Sequence, residues 1–256
     1  MNITSVQNLL ETESLGRNFV FLNSVDSTNN YIKDRWQFLK HGCTVVAETQ
    51  LSGRGRTGKS FYSPPKTGLY MSFLLRGKKY ASDALITAKM SYALCKAVDK
   101  LTDTTSAGIK WVNDIYVSNK KIAGILCEKV SDGRDEAVIA GIGVNFSLDK
   151  LSLPSDIKNT AGSLRDITKK KLHRSALCAY ILNEVEKLYS EDLSDKKFIS
   201  EYRSRSIVLG KEITVIKGDK KLRAAAIDVD SNGALAVRYE NGSTEKLSSG
   251  EISITV

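Results

Sequence analysis

"SGRGRTGKSFYSPP" occupies residues 52–65, and it admits two readings that lead to different folds. From Gly53 to Ser60 the spacing is G-x-x-x-x-G-K-S, the pattern of a phosphate-cradling P-loop. A P-loop needs a helix opening at its Lys-Ser end, because that helix supplies the N–H groups and the positive dipole end that hold phosphate. Here Pro64 and Pro65 stand four and five residues beyond Ser60. Inside a helix each proline removes a donor and costs about 3 kcal/mol, and each pushes the preceding residue out of helical geometry. A helix cannot run through this stretch, so the P-loop NTPase reading fails despite the pattern match. What remains is a loop in which Gly53 and Gly55 alternate with Arg54 and Arg56. Glycine lets a backbone approach a ligand closely. Arginine supplies planar, bidentate donors for carboxylate or phosphate. The combination suits a flexible basic lid over an anion, ordering when the anion arrives.

The surroundings agree. Between Thr49 and Ser82 there are seven basic residues and no acidic one, within a chain of net charge +9. That balance points to anionic substrates or an acidic partner. A nucleic-acid binder is disfavoured, because the basic run lacks interleaved aromatics beyond Phe61 and Tyr62 and no reading helix is evident. The 256 residues, 41% apolar and 26% charged, suffice for a substantial core without disulfides. Four separated cysteines and two lone histidines form no metal-ligand motif, and reduced thiols fit a cytoplasmic protein. The N-terminus is not a signal peptide, and no apolar run approaches the roughly 18 residues of a membrane span.

Working outward, residues 18–25, 44–50 and 68–75 read as strands, and a helix follows Asp26 or Ser27 with Ile32, Trp36 and Leu39 on one face. Ser82 is positioned to cap a long helix over 83–101. Three strand-like runs come next, at 108–117, 121–130 and 136–146, joined by short turns that imply antiparallel pairing. Residues 147–164 read as loop, and helices are predicted over about 173–189 and 196–203. After Ser206 short strands alternate with tight turns, including Asn232-Gly233 and Asn241-Gly242. The fold class is α+β: a mixed, largely antiparallel sheet with helices packed on it (residues 1–206), then a small SH3-like β-barrel (residues 207–256).

Two further stretches break their own patterns. In "KWVNDIYVSNKKIAGIL" (110–126) Asn113, Asp114, Lys120 and Lys121 interrupt strand-like apolar residues, and buried polar groups need partners. In "AGIGVNF" (140–146) glycines at 141 and 143 mark a close approach by a ligand or another backbone, and polar Asn145 follows.

Taken with the lid, these residues resemble biotin protein ligase. "DSTN" (26–29), "AETQLSGRGRTGKSFYSP" (47–64), "KWVNDIYV" (110–117), "KIAGIL" (121–126) and "GIGVNF" (141–146) match that family's motifs in order and spacing. Val112 replaces the family's usual proline, and Lys59 and Phe61 stand where arginine and tryptophan are frequent. Activity is expected to survive these swaps. The first strand begins near Asn18, which leaves no room for the DNA-binding domain of bifunctional members, so the ligase-only type is expected.

The resemblance implies that biotin and ATP form biotinyl-5′-AMP, with Mg²⁺, and that the biotinyl group passes to a lysine of a carrier such as the biotin carboxyl carrier protein of acetyl-CoA carboxylase. It assigns Ser27, Thr28, Asn29, Gln50, Gly53, Arg54, Gly55, Arg56, Lys121 and Gly124 to biotin. Arg56, Phe61, Lys110, Asn113, Asp114 and Asn145 go to ATP or the adenylate. Phe61 is either an adenine stacker or an ordinary core residue. Arg56, Lys121 and Asp114 are the catalytic candidates. Asp114 is left with two roles, oxygen ligation of Mg²⁺ or orientation of the acceptor lysine. A lipoate ligase on the same scaffold is the competing enzyme reading. No nucleic acid or membrane partner is expected, and a homodimer pairing through strands near 136–146 is a further implication of the family.

Overall fold

The fold is set by where each strand sends its alternate side chains, seen here in a computed structural model that describes residues 1–103, 107–149, 151, 153–168, 171–191 and 194–254. Lys150 and Ser152 of the predicted loop, and Thr255 and Val256 of the last predicted strand, lie outside the described residues. In chain order the larger part contains α1 (Ile3–Gln7), β1 (Phe19–Leu22), α2 (Thr28–Lys33), β2 (Thr44–Ala47), β3 (Gly68–Arg76), α3 (Lys78–Ala81) and α4 (Ile86–Thr102). It continues with β4 (Gly108–Lys110), β5 (Asp114–Val117), β6 (Lys120–Ser131), β7 (Glu136–Asn145), α5 (Leu164–Ile167), α6 (Arg174–Ser190) and α7 (Asp195–Ser204).

Its seven strands lie in the order β1-β2-β3-β7-β6-β5-β4. Only β1 and β2 are parallel; the other neighbours are antiparallel. One face carries Met71, Phe73, Ala123, Ile125, Ile142 and Val144, which pack in one core with Met90 and Leu94 of α4 and Leu177 and Ile181 of α6. Each fully buried Leu or Phe contributes about 1.5–3 kcal/mol there. On the opposite face Ile32 of α2 packs with Trp36, Val45, Leu74, Val130, Ala137 and Ile139. Farther along that second face the strands present Ser72, Gly124, Gly141 and Gly143, and small residues leave room for a cavity.

The second part contains β8 (Glu212–Lys217), β9 (Lys220–Val229), β10 (Leu235–Tyr239), β11 (Thr244–Leu247) and β12 (Glu251–Ile254). They form an antiparallel sheet ordered β11-β10-β9-β8-β12, the expected SH3-like unit. Gly233 and Gly242 take φ of 80° and 82° in the two Asn-Gly turns, a conformation that disfavours a Cβ. Backbone bonds from Ile109 N to Arg205 O (2.7 Å) and Ile207 N to Ile109 O (2.9 Å) hold the segment leading into this part against β4. Trp111 Nε1 donates to Gly233 O at 2.9 Å.

Four expectations need correction. The run 108–117 is not one strand: it turns at 111–113, and Lys110 pairs with Asp114 across the turn. The helix after Ser27 ends at Lys33, because the apolar spacing at Ile32, Trp36 and Leu39 is met by turns packed on the sheet. Ser82 closes the short helix α3, and α4 starts later, at Ile86. Finally, β7 is paired along both edges, with β3 and with β6, so the strand at 136–145 has no free edge for pairing across a dimer.

Candidate active site

A cavity of about 760 Å³ opens on the second face of the sheet. Glycines form its floor, and the reason is steric. A Cβ on Gly141 would sit 2.1 Å from Asn29 Oδ1, and one on Gly143 would sit 2.6 Å from the Phe61 ring. Gly124, beside them on β6, would bring its Cβ 3.5 Å from the same ring. Phe61 therefore lies over the glycine floor, within the cavity lining.

One end of the cavity is neutral. Ser27 caps α2 without a side-chain bond, and Thr28 opens the helix. Thr28 N and Oγ1 both donate to Gln50 Oε1, at 2.9 and 3.1 Å. Gln50 Nε2 donates onward to Ser63 Oγ at 3.0 Å. The single proton of Ser72 Oγ is shared between Thr28 Oγ1 at 2.7 Å and Asn29 Oδ1 at 2.6 Å. Asn29 Nδ2 donates to Leu126 O at 3.2 Å and to Glu128 Oε2 at 2.8 Å. Thr28, Asn29, Ser63 and Ser72 are all buried, and their mutual bonds remove the cost of burial.

The other end is charged. Lys110 and Asp114 face each other across the β4–β5 turn. Lys121 joins them through a bulge: Ile115 pairs with Ala123 but Tyr116 pairs with Lys121, so β6 holds one extra residue. Ile122 and Ala123 both enter the core, and Lys121 is turned to the cavity side. Lys121 Nζ pairs with Asp114 Oδ1 at 2.7 Å. Burial lowers the Lys110 pKa, Asp114 opposes that effect, and the Lys121 charge adds to it. Burial also pushes the Tyr116 hydroxyl up to about 12, with Asp114 contributing. Asn113 Nδ2 donates to Ile125 O at 3.0 Å, and the Trp111–Val112 peptide beside it is cis.

The basic loop spans these two ends. It is folded rather than loose: Arg54 and Ser60 form an isolated antiparallel bridge, Gly55 N donates to Lys59 O at 2.6 Å, and a single 3₁₀ turn covers Arg56–Gly58. No α-helix follows Ser60; the chain runs through Pro64 and Pro65 into β3, as the prolines require. Arg56 Nη1 reaches Asn113 Oδ1 at 3.2 Å. Arg54 Nη1 turns the other way, to Asn30 Oδ1 at 2.8 Å and to Glu128. Lys59 Nζ pairs with Glu251 of the second part, tying the loop to β12.

Thus Ser27, Thr28, Asn29, Gln50, Arg54, Gly55, Arg56, Phe61, Lys110, Asn113, Asp114, Lys121 and Gly124 are brought to one cavity. Gly53 and Asn145 are not among its lining residues. Gly53 is buried beneath the loop, where a Cβ would meet Phe61 O at 2.3 Å. Asn145 is buried at the end of β7, paired with Gly68. Sequence reasoning missed Ser72, Glu128 and Glu251. Ser72 carried a signal, as the one serine within the otherwise apolar and aromatic run "GLYMSFLL". Glu251 carried none, since only folding brings it to Lys59. Among the described residues no group of three or more His, Cys, Asp or Glu is placed to hold a metal ion. None of the described helices is long and apolar enough to cross a membrane.

Comparison with known proteins places the chain in a family. Residues 21–145 match the Biotin/lipoate A/B protein ligase family, and residues 208–254 match the biotin protein ligase C-terminal domain. The chain belongs to the biotin protein ligase family. Within it, the bifunctional ligase/repressor BirA of Escherichia coli is 28% identical over 245 residues, covering 93% of this chain and 74% of that protein. The biotin–[acetyl-CoA-carboxylase] ligase of Mycobacterium tuberculosis is 26% identical over 217 residues, covering 82% of this chain and 78% of that protein. The structure of the biotin protein ligase of Aquifex aeolicus in complex with biotin and ATP superposes with a TM-score of 0.77 at 29% identity, covering 93% of this chain and 99% of that one.

Proposed function

We propose that this protein joins biotin to ATP and transfers the biotinyl group to a carrier lysine. The observation that carries this reading is the convergence of Arg56, from the loop, with Lys110 and Lys121, from the bulged hairpin, on one cavity. The chemical obstacle is that a carboxylate must attack the α-phosphate of ATP, and the two anions repel. Cations preset around the reacting atoms bring them together and stabilise the charge that develops. In the first step the biotin carboxylate oxygen bonds to the α-phosphorus and pyrophosphate leaves. In the second, the acceptor amine bonds to the acyl carbon, loses a proton and releases AMP.

The neutral end, from Thr28 to Gln50, takes the uncharged ring of biotin, with Ser27, Asn29 and Gly124 shaping its walls. Arg56 and Lys121 meet the carboxylate and α-phosphate. Lys110, Asn113 and Phe61 serve the nucleotide. Magnesium fits as a companion of the ATP phosphates rather than a resident ion, because Asp114 is a carboxylate beside the cationic cluster, no group of three ligands is placed for an ion among the described residues, and Mg²⁺ is commonly shared between one or two carboxylates and phosphate oxygens. In this scheme residues 1–206 form the catalytic part and 207–256 the SH3-like part. The acceptor is the biotin carboxyl carrier protein of acetyl-CoA carboxylase.

The test is ATP–pyrophosphate exchange with biotin, with lipoate and with neither. Exchange is expected only with biotin. Exchange driven by lipoate, or by neither acid, overturns the reading.

A further inference from the structure

Glu128 lies outside the residues assigned to either substrate, yet two site elements meet on its carboxylate. It stands on β6 with its side chain 16% exposed. Its Oε2 accepts from Asn29 Nδ2 at 2.8 Å and from Arg54 Nη1 at 3.2 Å. Its Oε1 lies 3.1 Å from the same arginine nitrogen and 3.8 Å from Lys33 Nζ. We propose that Glu128 is a positioning residue that anchors the base of the loop through Arg54 and fixes the Asn29 amide, leaving Arg56 as the guanidinium presented to the substrates. The proposal rests on the biotin-ligase reading for its kinetic consequences, though not for the anchor itself.

The two arginines of the loop differ in what they face. Arg54 is neutralised by a carboxylate and bonded to Asn30, so its charge is already engaged. Arg56 meets a neutral amide oxygen and keeps its charge for an anion. Arg54 also stands at the root of the loop, where it bridges Ser60; the tip is Thr57-Gly58. Holding the root restricts the whole segment, so less conformational freedom remains to be lost when ligand binds. Asn29 is engaged in the same way. Both of its donors go to protein acceptors, Leu126 O and Glu128, and its Oδ1 takes the Ser72 hydroxyl. With its amide bonded on both sides, Asn29 acts on biotin by holding the pocket's shape.

The experiment compares wild type with Glu128→Gln, Arg54→Gln and the double variant. Glu128→Gln keeps an acceptor for Asn29 but removes the charge. Amide hydrogen exchange over residues 53–60 is read without substrates, and ATP–pyrophosphate exchange is read for KM and kcat. Loss of the charge-assisted bond is expected to speed amide exchange in the loop about tenfold and to raise the KM for biotin about tenfold, with kcat changed less than about twofold. The double variant is expected to lose clearly less than the sum of the two single ones, because both remove the Arg54–Glu128 contact. Glu128→Asp should recover part of the loss.

Unchanged amide exchange, additive effects, or a fall in kcat at constant KM overturns the anchor. Arg54→Gln lies on the exposed loop, so it tests the contact even if the Glu128 variant folds poorly. If wild type shows no biotin-dependent exchange, the functional reading fails while the amide-exchange comparison still decides the anchor.

Discussion

The two ends of the cavity are stabilised in opposite ways. Around Thr28, polar side chains are matched to one another: Gln50 serves Thr28, Ser63 serves Gln50, and Ser72 serves Thr28 and Asn29. Around Lys110, cations gather: Lys110, Lys121 and Arg56 line the same space, with Asp114 and Asn113 between them. The matched end keeps its shape with or without a ligand, since leaving any member unpaired is costly. The cationic end carries an unbalanced charge that is satisfied when an anion enters. Shape selection and electrostatic activation are thus separated by a few residues of sheet.

Four measurements sharpen or break this contrast. The largest effect is expected at the charged end: Arg56→Ala or Lys121→Ala should lower ATP–pyrophosphate exchange by about 100- to 1000-fold, as removal of a donor to developing charge does elsewhere. A loss below tenfold in both would mean that the cluster does not face the reacting atoms. At the neutral end the signature should be inverted. Gln50→Ala orphans the Thr28 amide and should cost about 1–3 kcal/mol of stability. It should raise the KM for biotin more than it lowers kcat, as thermal melting and saturation kinetics will show.

The third measurement is pH. The folded-state pKa of Lys110 lies below its usual 10.5, chiefly through burial. Between that lowered value and 10.5 the unfolded chain binds more protons, so the cost of burying the ammonium is full below the window and is relieved as pH rises through it. An entering anion draws the pKa back up. Nucleotide affinity should therefore fall as pH rises through the window, and Lys110→Arg, which stays charged, should flatten the titration measured by calorimetry. A wild-type profile as flat as the variant's removes Lys110 from the anion site. The smallest effect is expected for the Lys59–Glu251 pair, whose side chains are 60% and 39% exposed. Exposed pairs contribute about 0–1 kcal/mol, so Glu251→Gln should barely move the melting temperature. A large shift would show that β12 helps to close the loop.

How much could be read beforehand differs by region. The second part was legible almost strand by strand, because Asn-Gly turns and short alternating runs are local signals and its pairings are mostly between sequence neighbours. The loop's departure from a P-loop was equally local, decided by Pro64 and Pro65. The hairpin at 108–117 was misread as a single strand because its turn residues, Trp111 and Val112, are apolar and resemble strand. The late start of α4 was hidden by a plausible cap at Ser82, which ends a shorter helix instead. Asn145 follows Gly141 and Gly143 on the same face of β7, but it is buried at the strand's end opposite Gly68 and is not among the residues that line the cavity.

By itself the sequence determined the family, the two-part α+β organisation and a set of candidate residues of which most line the cavity, since these rest on short-range signals: glycine and proline backbone limits, apolar periodicity, and motifs carried within a few residues. Tertiary structure alone decided which of those residues spend their charge on the protein and which keep it. Arg54 and Arg56 are two positions apart and look equivalent in the chain. Only the approach of Glu128 from β6 to one, and of Asn113 from the β4–β5 turn to the other, separates them, because ion pairs and hydrogen bonds depend on distances of a few ångströms between residues 74 and 57 positions apart in the chain.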